Sequence, residues 1–309
     1  MPLNTNRLRI LREVAERGTI TAAAEALYLT PPAVSHQLAT LEREVGVALL
    51  ERTARSIRLT GPGRRLVEHA DTILAECEAA VADVESLAGQ VGGTVRISVF
   101  QTAAQSIALP ALAGLRERFP ALELDIRELE PFRALPALRA GELDIALSHE
   151  WDFVPVPPDP SFTRYDLLTE PIVVLLPQEH PLALSGSPVR LKDLANERWC
   201  VAQETAASRE AVERVAHSAG FEPHVILESN YFRAIGSAVE AGLGVGVAPE
   251  LTDLRGLDIA IRPLVEPALT RRIFAAVRAG SGDAPAIRTV LDAMVEAANV
   301  HGGVRNAAR

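Results

Sequence analysis

Cysteine is nearly absent from this chain of 309 residues: Cys77 and Cys200 are the two present, far apart and without CxxC spacing. That excludes a disulfide framework and a zinc finger, and it fits a reducing compartment. Long apolar runs are missing as well. Hydrophobic residues make up 48% of the chain, yet the longest uninterrupted stretches, such as Ile172 to Leu176, fall far short of the ~20 residues a membrane helix needs. The opening residues, Met1-Pro2-Leu3-Asn4-Thr5-Asn6-Arg7, lack the apolar core of a secretory signal, and Arg9 and Arg12 interrupt the next apolar residues. The expectation is a soluble protein that stays in the cytoplasm and engages no membrane. Catalytic motifs are absent too: there is no GxSxG, no P-loop and no HExxH. At roughly 100 to 200 residues per domain, the length predicts two or three domains with real cores.

What the chain does have is a lopsided charge. Its net charge is −9, but residues 1 to 65 hold ten Arg against six Glu, so the rest of the chain carries −13. A cationic module on an acidic body is the pattern of a protein that meets phosphate at one end only.

Within that module, Leu8, Leu11, Val14 and Ala15 repeat at helical spacing up to Gly18. A second helix comes next, capped by Thr19 or Thr21, with small residues at Ala22-Ala23-Ala24. A third starts at Thr30, an N-cap followed by Pro31, and runs past Pro32 through Val34, Leu38 and Leu41 to Gly46. The Tyr28-Leu29 turn makes the last two a helix-turn-helix. The third helix offers Ser35, His36, Gln37 and Thr40 as candidate readers of base edges in the major groove. Beyond it, Leu49-Leu50-Glu51-Arg52 and Ile57-Arg58-Leu59 flank a turn at Thr53-Ala54-Arg55-Ser56. This reads as a hairpin wing that brings Arg52 and Arg55 to phosphate or the minor groove.

The run Thr21-Ala22-Ala23-Ala24-Glu25-Ala26-Leu27, then Thr30-Pro31-Pro32-Ala33-Val34-Ser35-His36-Gln37-Leu38, Leu41-Glu42, Gly46, Leu49-Leu50-Glu51-Arg52, Arg55 and Leu59-Thr60-Gly61-Pro62-Gly63, resembles the N-terminal signature of LysR-type transcriptional regulators. The match runs without a gap over about forty residues. It continues more weakly in Leu138-Arg139-Ala140-Gly141-Glu142-Leu143-Asp144-Ile145-Ala146 and Ala241-Gly242-Leu243-Gly244-Val245-Gly246. Two positions depart from the family pattern: Pro31 stands where Gln is usual and Leu50 where Phe is usual. A base contact made by that Gln in relatives is not open to Pro31, so the operator preference is expected to differ.

No proline lies between Pro62 and Pro110, and Leu66, Ala70, Ile73, Cys77, Ala80, Val84, Leu87 and Val91 alternate at spacings of four and three. This predicts a helix over 62–92, capped by Thr60, stopped by Gly92-Gly93 and roughly 45 Å long. So narrow a seam calls for a partner helix, and the resemblance implies pairing with the same helix of another subunit. Cys77 is read as small apolar packing on that seam.

From residue 93 onward, short strands alternate with helical patterns, which predicts parallel sheets. One set comprises Val95-Ile97-Val99, Leu124-Ile126 and Ile145-Ala146-Leu147. A second comprises Ile172–Leu176, Trp199–Ala202, Val225–Leu227 and Val245–Ala248. The proline cluster Pro155, Pro157, Pro158 and Pro160 separates the two, and Arg272–Val277 with a helix over 284–298 returns to the first. The expected organisation is therefore a winged helix-turn-helix over 1–61, a linker helix over 62–92 and a two-lobed α/β domain over 93–309. Lobe 1 would take 93–163 plus 266–309, and lobe 2 would take 164–265. The family resemblance likens this body to a periplasmic solute-binding protein with a small molecule between its lobes.

Open α/β sheets bind ligands beyond the carboxyl ends of their strands. Those ends are Gln101, Thr102 and Ala103; Ser148 and His149; Gln203, Glu204 and Thr205; and Asn230 with Tyr231. The Gln101–Ala103 turn suits a small organic anion, and Glu204 disfavours a second negative charge. His149, Glu150 and Asp152 are adjacent in sequence but do not share a strand face, and Cys200 reads as core. The Gly242-x-Gly244-x-Gly246 run comes after a helix and precedes a strand, so it reads as a helix stop and a packing point. The expectation is a non-enzymatic regulator without a cofactor, binding double-stranded promoter DNA, itself as a dimer or tetramer, and a small organic effector, with the transcription machinery as a further partner. The alternatives are a cytoplasmic solute-binding protein and an enzyme on the same two-lobed fold.

Overall fold

The computed structural model describes residues 3–52, 57–87 and 91–307. Three helices open the chain: α1 (Thr5–Arg17), α2 (Ile20–Ala26) and α3 (Pro31–Val45). Asn4 caps α1 by accepting from the Asn6 and Arg7 amides, and Gly18 ends it with a left-handed φ of 72°. Thr19, not Thr21, caps α2. Thr30 caps α3 through the Ala33 amide. Leu8, Leu11, Leu38 and Leu41 are fully buried between the three helices. Each such side chain contributes about 1.5–3 kcal/mol before chain entropy is charged.

The wing is β1 (Leu50–Arg52) paired antiparallel with β2 (Ile57–Leu59). Glu42 ties it to α3, since its Oε1 accepts from the amides of Leu49 at 2.8 Å and Leu50 at 3.1 Å. Next comes α4 (Gly61–Leu87), entered at Thr60, whose Oγ1 accepts from the Gly63 amide at 3.0 Å. A Cβ at Gly63 would lie 2.1 Å from the Leu49 carbonyl oxygen, so the wing and α4 touch only because that residue is glycine.

The predicted seam of α4 divides in two. Ala70 is fully buried, and Leu66, Val67 and Ile73 pack beside it on the core of the three-helix head. Further on, Cys77 is exposed and Val84 is 68% exposed. The expectation of one continuous partner-seeking seam is therefore corrected: its first half is used inside the chain, while Cys77 and Val84 beyond it are uncovered.

The body contains ten strands: β3 (Gly93–Val99), β4 (Leu122–Glu128), β5 (Ile145–Trp151), β6 (Phe162–Pro177), β7 (Val189–Arg190), β8 (Arg198–Val201), β9 (His224–Glu228), β10 (Val245–Pro249), β11 (Ile259–Val265) and β12 (Thr270–Arg278). The main path runs β4-β3-β5-β12-β6-β10-β8-β9, with β11 beside β6 and β7 beside β11. Each lobe holds the expected parallel strands, β3 with β4 and β5, and β8 with β9 and β10. The strands that join the lobes run antiparallel to their neighbours, which the parallel expectation missed.

β6 belongs to both lobes. Residues 162–171 pair with β12, and residues 172–177 pair with β10 and β11. The chain thus crosses near Pro171 and near Thr270, rather than at 163 and 265. Each lobe packs a core on either face of its sheet, around Ile97, Leu147 and Val290 and around Leu138 and Phe274 in lobe 1, and around Val174, Trp199 and Val212 and around Leu175 and Ile235 in lobe 2. The glycine run packs as expected: a Cβ at Gly244 would lie 2.3 Å from the Arg198 carbonyl oxygen, and one at Gly246 would lie 2.7 Å from Ile235.

Candidate DNA interface and effector cleft

On α3 the inward positions Val34, Leu38 and Leu41 set the direction of every other side chain. His36 faces away from them and is exposed, with Pro31 and Pro32 exposed at the same end and Arg43 exposed further along the helix. Arg43 donates to Thr40 Oγ1 at 2.7 Å. Ser35 and Gln37 lie on opposite flanks and are half-buried. Gln37 is not a free reader, because its Oε1 accepts from Arg7 Nε at 3.0 Å and Arg7 also pairs with Glu44. Thr21 and Thr30 are exposed beside this face, with Thr30 spent on its cap. Arg52 lies on β1, where only its backbone is described, and Arg55 lies outside the described residues. Tyr28, expected only to form a turn, is 97% exposed at a left-handed φ of 54° just before α3. Exposed Arg9, Arg58 and Arg64 add positive charge to the head.

Between the lobes lies a cavity of about 320 Å³. Of the predicted effector contacts, Gln101, Thr102, His149, Thr205 and Asn230 line it. The other five do not. Ala103 is fully buried in the lobe 1 core. Ser148 is fully buried on the opposite face of β5 from His149, as strand alternation requires. Gln203 and Glu204 are exposed outside the cavity, where Gln203 trades hydrogen bonds of 3.1 Å with Asn230. Tyr231 is 58% exposed and does not line the cavity.

Phe100, Phe132, Trp151 and Phe232 also line the wall with Glu130 and Arg271, among prolines and aliphatic residues of 154–157, and the strand-end rule selected none of them. Phe100 meets His149 edge-on at 4.8 Å between ring centroids, and His149 meets Trp151 in the same way at 6.4 Å. The Arg271 guanidinium lies 5.3 Å from the Phe100 centroid and 5.9 Å from that of Trp151.

Arg271 is almost wholly buried and Glu170 wholly so. The guanidinium donates to Glu170 Oε1 from Nε at 3.0 Å and from Nη2 at 2.5 Å, and to Thr102 Oγ1 at 2.8 Å. The second Glu170 oxygen accepts from the Leu251 amide at 2.8 Å. One ion pair thus fastens the start of β12, the crossing in β6 and the turn after β3. Thr102 Oγ1 accepts from Arg271, which fixes the hydroxyl in place and leaves its O–H to donate.

Burial holds the His149 imidazole well below its ordinary range, and the Arg271 charge pushes the same way, so the ring is neutral. Burial, with a smaller push from Glu128, raises the Glu130 carboxyl. Glu150 and Asp152 serve elsewhere: Glu150 pairs with Arg164 and Arg272 and holds the Val156 amide, while Asp152 holds the Thr270 amide at 2.7 Å. Among the described residues no three His, Cys, Asp or Glu side chains gather as metal ligands. Cys200 is fully buried in β8, and burial pushes its thiol up, away from the reactive thiolate. Among the described residues no helix is long and apolar enough to cross a membrane.

Comparison with known proteins places both ends of the chain. Residues 5–64 match the model of the bacterial regulatory helix-turn-helix protein, lysR family, and residues 88–299 match the LysR substrate binding domain. The chain is 33% identical over 298 residues to the probable HTH-type transcriptional regulator LrrA of Synechococcus elongatus, covering 96% of this chain and 98% of LrrA. It is 34% identical over 252 residues to the transcriptional dual regulator GltC of Bacillus subtilis, covering 81% and 82%. In fold it is similar to a cysteine variant of full-length OxyR from Pseudomonas aeruginosa, with a TM-score of 0.70 at 24% identity over 95% of each chain. Full-length CbnR in complex with its target DNA gives a TM-score of 0.54 at 21% identity, covering 96% of this chain and all of that one. The chain belongs to the LysR family of helix-turn-helix transcriptional regulators.

Proposed function

We propose that this LysR-type regulator acts in the cytoplasm as an oligomer held by the distal half of α4, that it seats its heads on promoter DNA, and that a small molecule in the interlobe cavity resets their spacing. Coupling arises from differential affinity: a ligand touching both lobes favours one closure over another, and that preference is transmitted to whatever the lobes carry. The observation that carries this reading is the mixed parentage of the cavity wall. Phe100, Thr102 and His149 come from lobe 1, and Thr205, Asn230 and Phe232 come from lobe 2. Contact with the transcription machinery would use surfaces that remain exposed when the heads are on DNA.

His36 reads base edges in this scheme, Ser35 supports it from the flank, and the arginines of the wing hold phosphate. The family's members are regulators rather than catalysts, and this reading takes the chain as one of them. A mobility-shift titration with DNA from upstream of the protein's own coding region tests the reading. Saturable binding that resists competitor DNA supports it. Absence of any shift would return the solute-binding or enzymatic alternatives to first place.

A further inference from the structure

The cavity wall carries information about the chemistry of its ligand; this inference rests on the reading of the cavity as the effector site. Only thirteen of 309 residues are Phe, Trp or Tyr. Four of these, Phe100, Phe132, Trp151 and Phe232, line this one cavity, and His149 adds a fifth ring. Such a wall offers ring edges and faces to a flat guest.

Its charge is already balanced. Arg271 is the cation among the lining residues, and it is bound twice to Glu170 and once to Thr102. Glu130 contributes a further acidic group, and the neutral His149 contributes no charge. An anionic ligand entering here would lose its water without meeting an unpaired cation, which is costly. Gln101, Thr102, Thr205, Ser208 and Asn230 add polar side chains to the wall. Polar groups in a largely apolar wall favour a guest that brings a polar atom of its own.

The geometry points to an uncharged aromatic compound bearing an oxygen as the effector class, in place of the organic anion suggested by the strand-end turn. Four probes separate the elements of this inference: acetophenone, benzoate with the ring but a charge, cyclohexyl methyl ketone with the oxygen but no aromatic ring, and α-methylstyrene with the ring but no oxygen. Saturation-transfer NMR on the full-length protein at millimolar probe concentration, at pH 7.5, ranks them. Acetophenone should bind, with cyclohexyl methyl ketone and α-methylstyrene each about threefold to tenfold weaker and benzoate at least about tenfold weaker.

Phe132 is 67% exposed, so Phe132→Ala removes one wall ring without opening a core, and it should weaken acetophenone about threefold or more. Benzoate binding as well as acetophenone, no acetophenone signal at all, or acetophenone indifferent to Phe132→Ala would each overturn the inference. The regulator reading fails separately, by loss of DNA binding in the unliganded protein, so the two failures are distinguishable.

Discussion

His36 and Gln37 are neighbours in the chain but sit in different surroundings, and the difference is set by the helix period. With Val34, Leu38 and Leu41 turned inward, His36 is turned outward, while Gln37 swings towards α1 and accepts from Arg7. Replacing Ser35 and His36 together by alanine should cost ~1–3 kcal/mol at the preferred operator while sparing non-specific binding. Gln37→Ala should instead act on both alike, through the α1–α3 contact. Fluorescence anisotropy on specific and scrambled duplexes separates the outcomes, and an equal loss on every sequence for the Ser35/His36 variant would contradict the assignment.

Glu170 shows the opposite case, a residue whose role no motif announces. Its carboxylate neutralises a guanidinium as buried as itself and holds the Leu251 amide. Removing one partner of such a pair leaves an uncompensated charge, so Glu170→Gln should destabilise the body by ~3–5 kcal/mol in chemical denaturation. A change below about 1 kcal/mol would show that solvent reaches Arg271 after all.

Among the elements, α4 changes partner along its length. Ile73 packs against the three-helix head, whereas Val84 is exposed. Val84→Glu should therefore lower the mass seen in light scattering while leaving the melting of the head unchanged, and Ile73→Glu should destabilise the head as well. An unchanged mass for Val84→Glu would place the oligomer contact elsewhere.

The strands show what period alone can reveal. β3, β5, β8 and β10 were legible as short, largely buried apolar runs between turns, and the edge strands β4 and β9 by their alternation of apolar and polar or exposed residues. The first half of β6, Phe162–Pro171, was not. In lobe 1 it pairs on one side only, with β12, so it carries Thr163, Arg164, Asp166 and Thr169 and reads as loop. β11 was hidden in the same way by Arg262 and Pro263.

The site was half legible for a related reason. The strand-end rule names residues that come after strands, and it found Thr102, His149 and Thr205. It misses Trp151 because the sequence reading ends that strand at Leu147, and Phe132 because the end of β4 is not included, and it cannot name Arg271 at the start of a returning strand. These meet only because the chain crosses between lobes twice. Ser148 failed because a strand alternates faces, and Gln203 failed because Asn230 holds it outside the cavity.

At the scale of the whole molecule, the head and lobe 1 touch across α1 and α4. Arg17 Nη2 lies 3.8 Å from Glu142, and Asp71 of α4 sits among Arg12, Arg139 and Asp159. Burial pushes the Asp71 carboxyl up to about 6 against an ordinary 3.8, although Arg12 and Arg139 oppose it. Between those two values the folded chain holds a proton that the unfolded chain has released. Stability from this group is therefore greatest at low pH and is lost as pH rises through about 6. Asp71→Asn should accordingly stabilise the protein at pH 7.5, on the order of 1 kcal/mol after allowance for its partial exposure, and by about half as much at pH 5. Thermal melts at the two pH values check this, and a larger effect at pH 5 would reverse the sign.

The head, the helix and the cleft are one device only if two heads grip one duplex together. The most direct measurement is selection of bound sequences from a random duplex library by the purified full-length protein, together with the stoichiometry of the winning complex. The account predicts an inverted pair of half-sites spaced by whole helical turns, ~34–36 Å or a multiple, bound by at least two chains and lost with Val84→Glu. Enrichment of a single half-site bound by one chain, or no enrichment at all, would contradict it.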